Sequence, residues 1–218
     1  MPRQCLLPVS FGDAYRWRVS TRPPQRGPYA KGVARRQELL EVALEVLAAN
    51  GLRHSSLEDI ATRVGLTRPG LLHYFGTREE LLVSVLRARH ERDVEQASRH
   101  ESPDQSLAER VVSAVLRQHR SPGLVRLDAA MAAEATDPAH PAHLYFRQRS
   151  RQLEDRYARS VAHEIAVGRV SPDVDCTIAA QQINSLIDGL HVQWLIDPGL
   201  DVRAILTSAL RLLLPPPK

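Results

Sequence analysis

The chain has 218 residues, 43% of them hydrophobic and 25% charged, with a net charge of +4. That is enough chain for one sizeable core or two small ones. Its two cysteines, Cys5 and Cys176, allow neither a disulfide framework nor a zinc spacing, and no run approaches the ~20 apolar residues of a membrane span, which excludes a stapled secreted domain or a membrane protein and leaves the cytoplasm.

The first segment holds the chain's net positive excess. Residues 1–36 carry Arg3, Arg16, Arg18, Arg22, Arg26, Lys31, Arg35 and Arg36 against Asp13 alone, an excess of +7 that leaves the other 182 residues at −3. With prolines at Pro2, Pro8, Pro23, Pro24 and Pro28 and no sustained periodicity, residues 1–30 read as a disordered basic leader. Such a leader is either an arm lying near a polyanion or a solvated segment that touches nothing. CLLPV, near its start, is too short for the apolar centre of a signal peptide.

A first helix is expected from about Val33 to Asn50, with Leu40, Ala43, Leu44 and Leu47 on one stripe and Gly51 as its stop. Ser56 to Phe75 then reads as two short helices joined by a tight turn. Ser56 and Asp59 form a capping-box-like pair, and Leu57, Ile60, Ala61 and Val64 share a face. Gly65 suits the left-handed turn, Thr67 the cap of the second helix, and Pro69 its first turn. In that second helix Leu71 and Phe75 point one way, while Pro69, Gly70, His73 and Tyr74 fan out on the other side. A helix so short has to lean on its neighbour, and exposing it makes sense only if it is presented to something. This is the pattern of a helix-turn-helix whose second helix enters the DNA major groove N-terminus first.

Thr77 and Glu80 form another capping box, opening a helix whose Leu81, Leu82, Val85 and Leu86 give way to RARHERDVEQASRH. The polar half is expected to be largely solvent-exposed, which makes this helix a candidate connecting rod. Past Ser102-Pro103, helices are expected over 107–120 and 124–135, then a loop, then a long helix over 142–167 bearing Phe146, Leu153, Tyr157, Val161 and Ile165. Its arginines, Arg147, Arg149, Arg151, Arg156 and Arg159, read as a solvated face. Residues 176–196 carry one charge, Asp188, so this helix should be covered on more than one side. After a DPG turn, Asp201 caps a last leucine-rich helix.

Residues 38–82 resemble the DNA-binding domain of the tetracycline-repressor-like (TetR/AcrR) regulators. The match runs through Ile60, Ala61, Gly65, Leu71, His73, Tyr74, Phe75, Arg78 and Leu81; Leu72 stands where that family usually has a phosphate-contacting Tyr, and Arg78 where it usually has Lys. The resemblance implies an all-α, homodimeric, ligand-released repressor. Its expected parts are the leader 1–30, a helix-turn-helix domain 31–78 with the motif at 56–75, a connecting helix 79–101, and a ligand-binding and dimerisation domain 102–218.

Base contacts to an inverted-repeat, double-stranded operator are then expected from Thr67, Arg68, Pro69, Gly70 and His73, and phosphate contacts from Ser55, Ser56, Tyr74, Thr77 and Arg78. A small, largely apolar ligand is expected between the helices of residues 103–196, lined by Met131, Tyr145, Phe146, Tyr157 and Trp194, with Gln181, Asn184 and His191 as polar handles. The mate is expected against Ile183, Leu186, Gly189, Leu190, Leu206 and Leu210, in a four-helix bundle of the two terminal helices. No cofactor or metal is expected, because Glu134, His140 and His143 fit no zinc pattern, and no catalytic motif is present. A DNA-binding adaptor without a ligand, distinguished by the lack of a cavity, and a helical enzyme, which would need convergent polar residues in that cavity, stand as the alternatives.

Overall fold

The computed structural model describes residues 28–51, 56–100 and 104–218, and every regular element among them is a helix. In chain order these are α1 Pro28–Asn50, α2 Leu57–Arg63, α3 Arg68–Phe75, α4 Arg78–His100, α5 Leu107–Gln118, α6 Pro122–Glu134, α7 His143–Ala166, α8 Cys176–Ile196 and α9 Val202–Leu213. Residues 1–27, including Cys5 and most of the basic leader, and residues 52–55 and 101–103, with Ser55 and the Ser102-Pro103 junction, lie outside the described residues. The first helix begins five residues before the expected Val33, at Pro28.

The chain has two cores. The first gathers Leu39, Leu40, Ala43, Leu44 and Leu47 of α1, Leu57, Ile60 and Ala61 of α2, Leu71 and Phe75 of α3, and Leu81, Leu82, Val85 and Leu86 of α4. It also takes Leu124, Leu127 and Met131 from α6, so that helix belongs with the DNA-binding half although it follows the connecting helix in sequence. The second core is built from α5, α7, α8 and α9 around Val111, Val161, Ile183, Leu190, Leu206 and Leu210.

The joint between α1 and α6 depends on one glycine. A Cβ added at Gly123 would collide with the carbonyl oxygen of Leu47 and lie 2.8 Å from that of Ala48 and 2.9 Å from the backbone nitrogen of Gly51. All three obstacles are backbone, so no side chain can turn aside. Gly123→Ala is expected to lower unfolding stability by about 1–3 kcal/mol, the cost of overpacking a close contact. Urea denaturation would measure it, and an unchanged midpoint would mean that α1 and α6 slide apart freely.

Glu164 organises the second core from inside. Only 1% exposed, its carboxylate accepts hydrogen bonds from the backbone N–H of Leu107 at 3.1 Å, from Arg110 Nη2 at 3.4 Å, and from Arg169 Nε at 2.7 Å and Nη2 at 3.1 Å. One side chain of α7 thus holds the first residue of α5 and the loop beyond α7.

Candidate nucleic-acid interface and buried polar cavity

The helix-turn-helix is assembled by local hydrogen bonds. The Ser56 hydroxyl accepts from the Asp59 N–H at 3.1 Å, while the Ser56 N–H and hydroxyl donate to Asp59 Oδ2 at 2.7 and 2.8 Å. Those two donations hold the Asp59 carboxyl below its usual range. The turn is made by Gly65 at φ +70°, a conformation that costs a side-chain-bearing residue but not glycine. Arg35 of α1 donates to the Val64 carbonyl at 2.9 Å and ties the turn to the buttressing helix. Arg36 lies 4.7 Å over the Phe75 ring and donates to Ser84 Oγ at 3.0 Å, fixing the far end of α3.

What remains outward is the start of α3. Thr67 Oγ1 caps the helix by accepting from Gly70 N–H at 3.3 Å, which leaves its own hydroxyl proton for an external acceptor. Thr67, Arg68, Pro69 and His73 are exposed, and Gly70 and Tyr74 are partly so. Arg68 pairs with Glu58 across the turn at 3.2 Å and Arg78 with its neighbour Glu79 at 3.5 Å. Thr77 Oγ1 accepts from Glu80 N–H at 3.1 Å, so α4 also opens at this surface with a capped N-terminus. Ser56 is present here too, but its hydroxyl proton is already given to Asp59.

The expected ligand lining is dispersed. Met131 is buried in the first core and Tyr157 packs on the second. Asn184 donates to Ser150 Oγ at 3.2 Å. Gln181 is exposed, on an outer groove of about 470 Å³ between α8 and α9 that is also lined by Ile178, Gln182, Ser185, Leu186, Ala209, Leu212 and Leu213. Phe146 lies beside Tyr145, their ring centroids 5.0 Å apart, and Arg149 stands 5.7 Å from the Phe146 centroid. Trp194 stacks on His119 at 3.9 Å, and His119 meets His191 edge-on at 5.3 Å.

The cavity between the helices is polar instead of apolar. It has a volume of about 20 Å³ and is lined by Leu86, Arg89, His90 and Asp93 of α4, Gln118 of α5, Asp128 of α6, Arg149 of α7 and His191 of α8. That is room for about one water. Two expectations are corrected by it. The polar half of α4 is not wholly exposed, since Arg89 is 9% exposed and Val94 and Ala97 are buried, and Arg149 leaves the solvated arginine face to pair with Asp128 at 2.7 Å. The sequence signal was the register: Leu82, Leu86, Arg89, Asp93 and Ala97 recur every three or four residues, so the inward stripe of α4 continues through its charges.

Burial sets the ionisation there. It pushes His90 and His191 down to about 4, with Arg149 acting further against a charged His90 and His119 against a charged His191. It pushes Tyr145 up to about 12 and raises Asp93. Burial opposes the charge of Arg149 most strongly, but Asp128, Tyr145 and Asp188 together outweigh it and hold that guanidinium above its ordinary value. An unfolded histidine titrates at roughly 6.5, so below that pH the unfolded chain takes up protons that the folded chain refuses. Stability is therefore expected to fall between pH ~6.5 and ~4, and less steeply in His191→Gln, as urea midpoints over that range would report.

The expected mate-facing residues divide in two. Ile183, Leu190, Leu206 and Leu210 are at most 6% exposed inside the protomer's own core, which corrects their assignment to a partner surface. Leu186 is half-buried and Gly189 exposed. The outward stripe of α8 is Ile178, Gln182, Ser185, Gly189, Val192 and Ile196, at alternating spacings of four and three, and α9 adds Ile205, Ala209 and Leu212. In the loop before α7, His143 Nδ1 is 2.9 Å from the Ala135 carbonyl, and His140 lies 3.6 Å from Glu134. No described helix is long and apolar enough to cross a membrane.

A packed helix-turn-helix carried on a larger helical domain defines a DNA-binding transcriptional regulator. Residues 39–85 match the profile of bacterial regulatory proteins of the tetR family, and residues 103–215 that of the BetI-type transcriptional repressor C-terminal domain. The chain belongs to the TetR family of bacterial regulators and is of the repressor type, not an enzyme. Among its relatives, the fatty acid metabolism regulator protein of Bacillus subtilis is 24% identical over 81% of this chain and 92% of that one. The regulator BetI of Rhizobium meliloti is 29% identical over 73% and 77% respectively. A TetR-family regulator from Pectobacterium atrosepticum has the same fold, with a TM-score of 0.68 at 22% identity over 87% of this chain and 98% of its own.

Proposed function

We propose that the protein acts in the cytoplasm as a homodimer on an inverted-repeat operator and is released by a small polar ligand entering the cavity between α4, α5, α6, α7 and α8. The observation that carries the DNA half is the exposed, capped start of α3, with Thr67, Arg68 and Pro69 outward and Leu71 and Phe75 anchored in the core. Base contacts fall to Thr67, Arg68, Pro69, Gly70 and His73, and positioning contacts to Tyr74, Thr77 and Arg78 with Ser56 at the edge. Arg68 can reach bases by exchanging Glu58 for them.

The test is operator binding measured across a salt series. Arg78→Ala is expected to weaken all duplexes alike and to flatten the slope of log affinity against log salt by about one unit. A changed base preference with an intact slope would move Arg78 into the group that reads sequence. The ligand half is supported by the cavity itself, which a protein that only bound DNA would have no reason to line with buried ions.

A further inference from the structure

The buried ions around the cavity are unequally satisfied. Arg149 Nη1 meets Asp128 Oδ1 at 2.7 Å, a full charge-assisted hydrogen bond. Arg89 has no such partner: its Nε is 3.7 Å from Asp93 Oδ2, beyond hydrogen-bond length, and Asp93 accepts instead from Gln118 at 2.9 Å. Among the described residues the Arg89 guanidinium makes no hydrogen bond, although the residue is only 9% exposed and that group can only donate.

Three polar atoms in the same region are wholly buried without a partner, His119 Nε2, His191 Nε2 and Tyr145 Oη. Each such group is costly to leave unsatisfied. Asp93 and Asp128 are already engaged, whereas Arg89 must donate and the two imidazoles and the phenol can donate. The missing component is thus an acceptor carrying negative charge. A cation would find Arg89 and Arg149 against it.

We propose that the protein senses small monocarboxylates, the carboxylate lodging beside Arg89 with His191, His119 and Tyr145 as further donors, and the apolar body lying toward the His119–Trp194 stack. This rests on the ligand-release reading above. A cavity of about 20 Å³ does not hold a carboxylate without widening, and widening displaces Arg89 on α4, whose first turns are packed in the DNA-binding core.

The experiment adds benzoate, hexanoate, benzamide and benzyltrimethylammonium separately to the purified full-length protein, reading thermal midpoint and operator affinity together. Benzoate and hexanoate are expected to raise the midpoint and weaken operator binding, with the amide and the ammonium compound inert. Arg89→Gln is expected to lower benzoate affinity by roughly 10- to 100-fold, and Arg89→Lys, which keeps the charge, by less. The wild-type comparison of benzoate with benzamide needs no variant to fold. Equal stabilisation by benzamide, retention of benzoate affinity in folded Arg89→Gln, or no response to either carboxylate would overturn the proposal. Carboxylate binding without operator release would keep the site and remove the release reading. Operator release by benzyltrimethylammonium alone would keep the release reading and remove the carboxylate.

Discussion

Gly189→Glu is expected to sediment as a monomer and to lose operator affinity by roughly 10²–10⁴, the advantage that two linked half-site contacts hold over one. The substitution is well posed because, apart from the adjoining residues and backbone of α8 itself, nothing in the protomer lies within 4 Å of where the new Cβ would sit. Glutamate is also a better helix former than glycine, by about 0.5–1 kcal/mol, so α8 itself should not suffer. Gly189 stands mid-way along the outward stripe between Ser185 and Val192, where small side chains let two helices approach. Two-fold symmetry would bring a pair of carboxylates together in that seam. A Gly189→Glu protein that still sediments as a dimer would move the mate to another face.

Glu164→Ala should be the most destabilising single change in the second core. Four hydrogen bonds from three residues, two on α5 and one in the loop beyond α7, end on this carboxylate, and its removal strands Arg110 and Arg169 and leaves the Leu107 N–H unpaired. Breaking a buried pair from one side costs roughly 3–5 kcal/mol. For a chain of this size that is a fall in melting temperature of about 10 °C. Glu164→Gln keeps the shape and loses the charge, and should fall between. A loss below 1 kcal/mol on urea denaturation would mean that water replaces the carboxylate at little cost.

The DNA-binding half was legible in sequence because its determinants are local. The Ser56–Asp59 box, the Gly65 turn and the Thr67 cap each close within three residues, and Leu71 and Phe75 lie one turn apart. The cavity was not legible for the opposite reason. Arg89, Asp128 and Arg149 meet from three helices, and each looks like an ordinary surface charge on its own helix. Expecting an apolar ligand followed from listing aromatic residues, whereas Met131 and Tyr157 had structural work in the two cores. On α8 the difficulty was excess: apolar residues occur on both sides, so Ile183 and Leu190 looked as suitable for a mate as Gly189 did. Only the position of α9, with Leu206 and Leu210 inward, separates the faces.

The placement of α6 bears on how such proteins can be recombined. Leu124, Leu127 and Met131 complete the apolar interior of the DNA-binding half, with α6 packed against α1, while Asp128, on the same helix, forms a wall of the cavity. A splice made after α4 would separate the DNA reader from part of its own foundation. Grafting this reader onto another sensor would therefore succeed only if residues 122–134 travelled with it, or if the recipient supplied a helix of equal volume with a glycine where Gly123 abuts α1. The two halves are in this sense not interchangeable cassettes, because one helix completes the core of the first and walls the cavity of the second.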